Sequence, residues 1–485
     1  MKNTIGLPAI MAASLLLAAC STNPVTGESD FVLMSESQEI SLGQQYSAQI
    51  MEDMPAYEHA ALNKLVQRIG KKLAAKSHRP GLVYRFTIVD SATVNAFALP
   101  GGYIYITRGM LAYLNSEAEL AAVLGHEIGH VTARHSVRQH SASTATGLLG
   151  AVISATTGVQ GIDTLTDMAG TAFVRGYGRE HELEADRLGA EYLAKSGYDP
   201  EAMLEVVKVL KNQEAFEVAT ARREGREANV YHGLFSTHPD NDARFQEVVR
   251  AAKRHRTGTT TRVGHDSYLR ALDGLTFGDS AKEGVVRNND FYHEPLNFSV
   301  SFPAGWRIDN KSDRIIATSR SNDGLVQLSL SDRNKHITPQ QFMTQRLKLK
   351  GIHNGKSFSA NGLQGYTALA RSNTPWGMRT VRYAIVYRGN NVYVFAGAAK
   401  QKNNIRKYDA DILKTASSLH PLTRAEKKLA RGKKLKIIRA PAGTRYATLA
   451  RKSSLTNYPE EQLRLLNDQY PSGEPKPSQL LKVVR

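Results

Sequence analysis

The sequence predicts an α+β multidomain fold: a mainly helical first block with a small hairpin or sheet, a strand-rich second block, and a short strand–helix–helix–strand module at the end. Three observations lead there. The 485 residues make about three domains at roughly 150 residues each. Hydrophobic spacing changes from helical to alternating near residue 290. From residue 424 onward there are 15 Lys or Arg against 5 Asp or Glu, so +10 of the net +18 sits in the tail. A content of 41% hydrophobic and 22% charged residues excludes a wholly disordered or collagen-like chain. The positive balance favours acidic partners, among which charge alone does not choose.

The elements follow in order. Lys2 and the apolar run Ile5 to Ala19 have the layout of a secretory signal. The run is shorter than the roughly 20 residues of a spanning helix. Its end, Leu17-Ala18-Ala19-Cys20, resembles the lipobox of bacterial lipoproteins. Residues 1–19 are then a signal peptide and Cys20, the only cysteine, a lipid attachment point. That cysteine count excludes an intrachain disulfide and any multi-cysteine zinc or iron–sulfur site. Several acyl chains on one residue anchor a protein stably, and Ser21 after the cysteine suggests the outer membrane. The expected location is the periplasm, tethered through Cys20.

In the first block, about 35–265, the exceptions to helical spacing are Tyr84 to Val89 and Asn95 to Leu99, the latter running through Pro100-Gly101-Gly102 into Tyr103 to Ile106. A polar linker is expected from about Lys253 to Asp290. In the second block, about 291–420, Phe298, Val300 and Phe302 alternate. Val381 to Tyr387 should pair with Val392 to Phe395 across Gly389-Asn390-Asn391. Thr338-Pro339 should open a helix. In the third block, about 435–485, Lys436 to Arg439 and Leu480 to Val484 read as strands. Two short helices, around Leu449-Ala450 and Leu463 to Asn467, lie between them.

The chemistry sits at His126-Glu127-Ile128-Gly129-His130, an H-E-x-x-H pattern. Ser116 and Glu119 read as a capping box opening its helix, and Leu120, Val123, Leu124, Ile128 and Val131 give that helix a buried face. Residues four apart on a helix share a face, so the two imidazoles can share a metal. Glu127 projects about 100° further round, close enough to take a proton from water at the metal without being a ligand. A third protein ligand is required. Ser136 occupies the position where one common version of the motif carries a third histidine, and His135 and His140 stand at the wrong spacing and should be solvated. A carboxylate from Arg179-Glu180-His181-Glu182-Leu183-Glu184-Ala185-Asp186 is the alternative. Glu182 and Asp186 share a face, but spacing does not choose among Glu180, Glu182 and Glu184.

These motifs resemble the M48 family of zinc metallopeptidases. Asn95 to Gly102 before the helix, and Thr237-His238-Pro239 with Arg244 after it, agree in the family's order. The resemblance covers roughly 35–250 and implies a zincin-type fold with one Zn2+ per chain. It makes His126, His130 and Glu182 the metal ligands and Glu127 the general base. Asp186 would be an orienter or proton donor. His238 and Arg244 would face the cleft, where they could stabilise an oxyanion; in some relatives the histidine instead closes the site. Without the hydrophobic spans of membrane-embedded members, a prenylated or intramembrane substrate is not expected. Phe302 to Trp306 resembles the opening of PsbP-like α/β sandwiches, and the last block resembles a LysM module, which would bind peptidoglycan.

The resulting expectation is a periplasmic zinc endopeptidase cleaving misfolded or misassembled envelope proteins, with extended or unfolded substrates and no nucleic-acid partner. The segment around Tyr103 to Ile106 would pair with a substrate strand. Two rivals remain: an assembly factor or chaperone with a gated or structural zinc site, and a peptidoglycan hydrolase resting on the last block alone.

Overall fold

The computed structural model describes residues 20–144, 177–226, 228, 262–311, 313–333, 336–402 and 404–485. The expected signal peptide 1–19, His238 and Arg244 lie outside them. The chain divides into two compact units: Met1–Arg223 with Glu227–Phe277 and Lys434–Arg485, and Glu224–Arg226 with Gly278–Lys433. Helices and several sheets give a mixed α/β architecture. Among the described residues no helix is long and apolar enough to cross a membrane.

The first unit begins with a ribbon, β1 (Cys20–Thr22) against β2 (Ser29–Phe31). Helices α1 (Glu36–Asp53) and α2 (Ala60–Ala74) follow, the first opened by Ser35 and Gln38 in a reciprocal capping box. Leu62, Leu65, Val66, Ile69 and Leu73 form one stripe of α2, all buried. A three-stranded sheet comes next: β3 (Arg85–Val89), β4 (Ala96–Leu99) and β5 (Tyr103–Thr107), with β5 in the middle, parallel to β3 and antiparallel to β4. The backbone of β5 is therefore committed on both edges, so the segment Tyr103 to Ile106 is not the strand that pairs with a substrate. Helix α3 (Arg108–Tyr113) leads into α4 (Glu117–Thr132), which carries the H-E-x-x-H motif and is buried at every residue. Helices α5 (Arg179–Lys195), α6 (Ala202–Glu224) and α7 (His265–Ala271) and strand β6 (Thr276–Phe277) complete this stretch. The expected linker is in part core: Tyr268, Leu269, Leu272, Leu275 and Phe277 are buried in the same cluster as α2 and α4. Their helical spacing lies among charged residues, which masked it.

The second unit contains β7 (Val285–Arg287), β8 (Asp290–His293), β9 (Phe298–Ser301), β10 (Arg307–Asn310), β11 (Arg314–Thr318), β12 (Gly324–Asp332), α8 (Pro339–Gln345), β13 (His353–Ala360), β14 (Leu363–Thr374), β15 (Gly377–Arg388), β16 (Asn391–Ala399), α9 (Arg406–Ser417), β17 (His420–Pro421) and α10 (Arg424–Leu429). Seven strands form an antiparallel sheet in the order β10-β11-β12-β16-β15-β14-β13. Alternation along β15 sends Ala384 and Val386 to one face, with Ile412 of α9, and Ile385 and Tyr387 to the other, with Phe342 of α8. The expected hairpin forms, Arg388 pairing with Asn391 across Gly389-Asn390. Thr338 caps α8, with Pro339 in its first turn. Trp306 is half-buried against the core, and Trp376 is half-buried near the β14–β15 turn.

The chain then returns to the first unit. Strand β18 (Lys433–Arg439), helices α11 (Tyr446–Ala450) and α12 (Pro459–Leu466) and strand β19 (Leu480–Val484) follow, β18 pairing antiparallel with β19 and lying beside β6. Leu435, Tyr446, Leu463, Leu466 and Val483 share one hydrophobic cluster with α2, α4 and α5. The basic tail thus covers the helical core.

Candidate metal centre

The metal-binding face depends on how closely α4 and α5 approach. At Gly125 an added Cβ would meet Leu193 Cδ1 at 2.8 Å, and at Gly129 it would meet the carbonyl oxygen of Ala185 at 2.8 Å. From the other helix, a Cβ on Gly189 would meet the backbone nitrogen of His126 at 2.9 Å. Real Cβ atoms do not come that near, so glycine is required on both sides of this contact. The i, i+4 spacing of Gly125 and Gly129 was visible in the sequence, yet its meaning needed the partner helix. At the start of α4, Ser116 Oγ accepts from the Glu119 backbone N–H at 3.0 Å. The Glu119 carboxylate accepts from the Asn115 N–H at 2.8 Å and from the Ser116 hydroxyl at 3.1 Å, so its backbone bond ties the loop one residue earlier than expected.

Close approach brings His126, His130 and Glu182 together. The two Nε2 atoms are 3.0 Å apart, and Glu182 Oε2 and Oε1 lie 3.5 Å from His126 Nε2 and His130 Nε2 respectively. Bonds of about 2.0–2.1 Å in a tetrahedral shell set donors about 3.4 Å apart, so this spacing fits a four-coordinate metal. The donor chemistry agrees: two imidazoles and a carboxylate suit zinc and leave a fourth position for substrate or water. All the ligand atoms lie within 4.8 Å of one another. The Glu182 side chain is fully buried while that of His126 is 11% exposed, so among the described residues solvent reaches the centre from the His126 side.

Of the alternatives left open above, Glu182 is the carboxylate brought to both histidines. Asp186 Oδ1 lies 2.8 Å from His126 Nδ1. Glu127 is fully buried on the same helix. Glu184 meets His135 instead, Oε2 to Nε2 at 3.0 Å. His135 corrects an expectation, since it is fully buried rather than solvated, with its Nδ1 2.8 Å from His130 Nδ1. Helix α4 ends at Thr132, and Arg134 takes a left-handed φ of +55°, which turns the chain back so that His135 faces His130. Arg134 is held there by Glu39, Nε to Oε2 at 3.0 Å, and Arg79 holds the other oxygen of the same carboxylate at 2.8 Å. No spacing rule for a helix face finds a residue placed by such a turn.

The surroundings are largely dry. Tyr177 stacks on His130 at 4.0 Å and shares a 2.6 Å hydrogen bond with Ser136. Burial, then the nearby charges of Glu127 and Glu182, raise its phenol well above the ordinary value, although the Ser136 bond opposes them. Burial lowers the His135 imidazole against the opposing pull of Glu184. The hydrogen bond from His135 lowers the Glu184 carboxyl.

Residues 60–252 match the sequence model of peptidase family M48. Over these residues the chain is similar to that family. M48 peptidases are zinc enzymes, which agrees with the donor set above. Over 277 residues the chain is 30% identical to the beta-barrel assembly-enhancing protease of Escherichia coli (strain K12), covering 55% of this chain and 54% of that protein. It is 34% identical over 140 residues to the mitochondrial metalloendopeptidase OMA1 of Arabidopsis thaliana, covering 29% and 28% of the two chains. The chain thus spans about half the length of the first of these M48 relatives. The solution structure of cyanobacterial PsbP from Synechocystis sp. PCC 6803 is a much weaker likeness, at 12% identity and a TM-score of 0.23, covering 28% of this chain and 95% of that one.

Proposed function

We propose that this chain is a zinc-dependent endopeptidase of the bacterial periplasm, anchored to the outer membrane through Cys20, that cleaves misfolded or misassembled envelope proteins. The observation that carries the reading is the convergence of His126, His130 and Glu182 beside the buried Glu127. Zinc, when bound there, polarises the scissile carbonyl and activates water. Glu127 takes the proton from the attacking water and delivers it to the leaving amine. Asp186, against His126 Nδ1, holds that imidazole with its Nε2 toward the metal. His238 and Arg244, by their resemblance to the family's pair, assist the oxyanion or gate the site.

An envelope substrate is supported by the relatives named beta-barrel assembly-enhancing protease. Strand β4 lies at the end of its sheet, so an extended segment could add there and be read mainly through its backbone. That mode would favour unfolded chains. The LysM-like strand–helix–helix–strand order of the C-terminal module, with its excess of basic residues, supports a second contact with peptidoglycan.

The test uses the mature chain, with zinc content and casein cleavage measured in wild type, Glu127→Gln and His238→Ala. One zinc per chain is expected. Cleavage should fall by about 10²- to 10⁴-fold in Glu127→Gln, the usual worth of a general base. A rise in His238→Ala identifies a gate and a fall identifies assistance. Bound zinc without cleavage by any form leaves the assembly-factor reading, and no bound zinc overturns the ligand assignment.

A further inference from the structure

The two metal-facing histidines are supported differently. His126 Nδ1 meets a carboxylate directly, at Asp186 Oδ1. His130 Nδ1 meets another imidazole nitrogen, His135 Nδ1, at 2.8 Å. Two ring nitrogens at that distance need one proton between them. A neutral His130 that offers Nε2 to a metal carries its proton on Nδ1 and donates it to His135. His135 must then accept through Nδ1, which leaves its own proton on Nε2. That nitrogen faces Glu184 Oε2 at 3.0 Å, and Arg138 Nη1 reaches the same oxygen at 3.2 Å. Every proton in the series is accounted for in one direction only.

We propose that His135 is a positioning residue for His130, with Glu184 and Arg138 fixing its tautomer in turn. Each metal histidine is then backed by a carboxylate of α5, Asp186 directly and Glu184 through His135. The ring of His135 is also clamped: it stacks on His181 at 4.3 Å and lies edge-on to His130 at 4.9 Å. The arrangement does for His130 what a carboxylate partner does elsewhere, fixing the orientation of the ring and the nitrogen it presents. It also explains why a histidine is fully buried five residues past the motif.

The proposal rests on the metal-site reading, and its test keeps the two apart. Zinc affinity of the full mature chain is measured by chelator competition in wild type, His135→Phe and His135→Asn, with the melting temperature of each metal-free form. Phenylalanine keeps the ring volume but offers no acceptor. Asparagine places an oxygen near the original Nδ1. The expected result is about 10- to 100-fold weaker zinc binding in His135→Phe, with most of the loss restored in His135→Asn. The cobalt-substituted protein should show an altered visible absorption spectrum in His135→Phe alone. Wild-type affinity in His135→Phe overturns the proposal. So does an equal loss in both variants that tracks their metal-free melting temperatures, since that describes packing. If wild type itself binds no zinc, the metal-site reading fails, and the proposal with it.

Discussion

The two units treat charge in opposite ways. Among the described residues, the sheet unit of 278–433 buries one charged side chain, Arg382, held by Asp409 at 2.7 and 3.0 Å. The helical unit buries Glu39, Arg79, Asp90, Arg108, Glu117, Glu119, Arg134, Asp186 and Lys482 besides the metal-site residues. A buried ion costs several kcal/mol in lost hydration and recovers it only with good partners. Such groups lower stability where hydrocarbon would serve, so their concentration marks the unit in which positioning is worth more than stability. The sheet unit reads as a scaffold by the same measure. Spectroscopy can follow the two apart: both tryptophans, Trp306 and Trp376, lie in the sheet unit, while the long helices lie in the other. Fluorescence therefore reports one unit and helical circular dichroism mainly the other.

The largest effect that would sharpen this contrast comes from an uncharged position. Gly189→Val should push α5 off α4 at the point where a Cβ meets His126, shifting Glu182 and Asp186 away from the histidines. Overpacking of this kind costs about 1–3 kcal/mol, and a misplacement near 1 Å costs about 10²-fold in rate. Zinc affinity and peptidase activity should both fall, with a lower melting temperature by circular dichroism and little change by fluorescence. Gly81→Ala, with nothing within 4 Å, is the control and should change neither. Full activity in Gly189→Val would mean that the helices need not approach so closely.

Much of this site was legible in the sequence, for a physical reason. The i, i+4 spacing of His126 and His130, and of Glu182 and Asp186, is a property of a single helix and survives without knowledge of the fold. The alternating strands and the Gly389-Asn390 turn were local too. What escaped depends on distant partners. His135 is placed by a left-handed residue outside the helix. The middle position of β5 depends on β3, which arrives parallel from earlier in the chain. The last strand is the extreme case, since Lys482 bonds to residues about 370 positions earlier.

That strand supplies the second prediction. Lys482 Nζ donates to the carbonyls of Ala112, Tyr113 and Leu114 at 2.8, 3.4 and 2.9 Å, satisfying the end of α3 just before α4 begins. Lys482→Met leaves those buried acceptors without it and should cost about 1–3 kcal/mol. The variant also tests the sign of a pH effect. Burial pushes the ammonium down to about 7, partly opposed by Glu119, whose own burial pushes its carboxyl up to about 7. The Lys482 contribution is complete above its unfolded value, about 10.4, and is lost as pH falls through 7. Glu119 acts oppositely, stabilising below about 4.3 and losing that as pH rises through 7. Wild type should therefore gain stability between pH 7.5 and 9.5, and Lys482→Met should not. Equal slopes in urea melts followed by circular dichroism would show that Lys482 stays charged throughout.

The smallest effect belongs to the sheet unit and tests whether its charges are only local fastenings. Asp323 accepts from Lys407 Nζ at 2.7 Å, Ser319 Oγ at 3.0 Å and the Tyr408 hydroxyl. Burial works to raise its carboxyl, but the bonds from Lys407, Ser321, Tyr408 and Ser319 outweigh it and hold the group well below the usual carboxylate range. A depressed value stabilises above the unfolded value of about 3.9 and is lost as pH falls through the folded one. Asp323→Asn keeps the shape and one acceptor while losing the charge, so the cost should be about 0.2–1 kcal/mol, as for partly exposed pairs. Trp306 stands 5.3 Å from Tyr408, so its fluorescence reads this corner directly. The difference between wild type and variant should stay constant from pH 8 to 5 and shrink below about 3.9. Zinc affinity and peptidase activity should not move. If they do, Asp323 reaches the metal centre, and the division between a charged catalytic unit and a passive sheet unit is wrong.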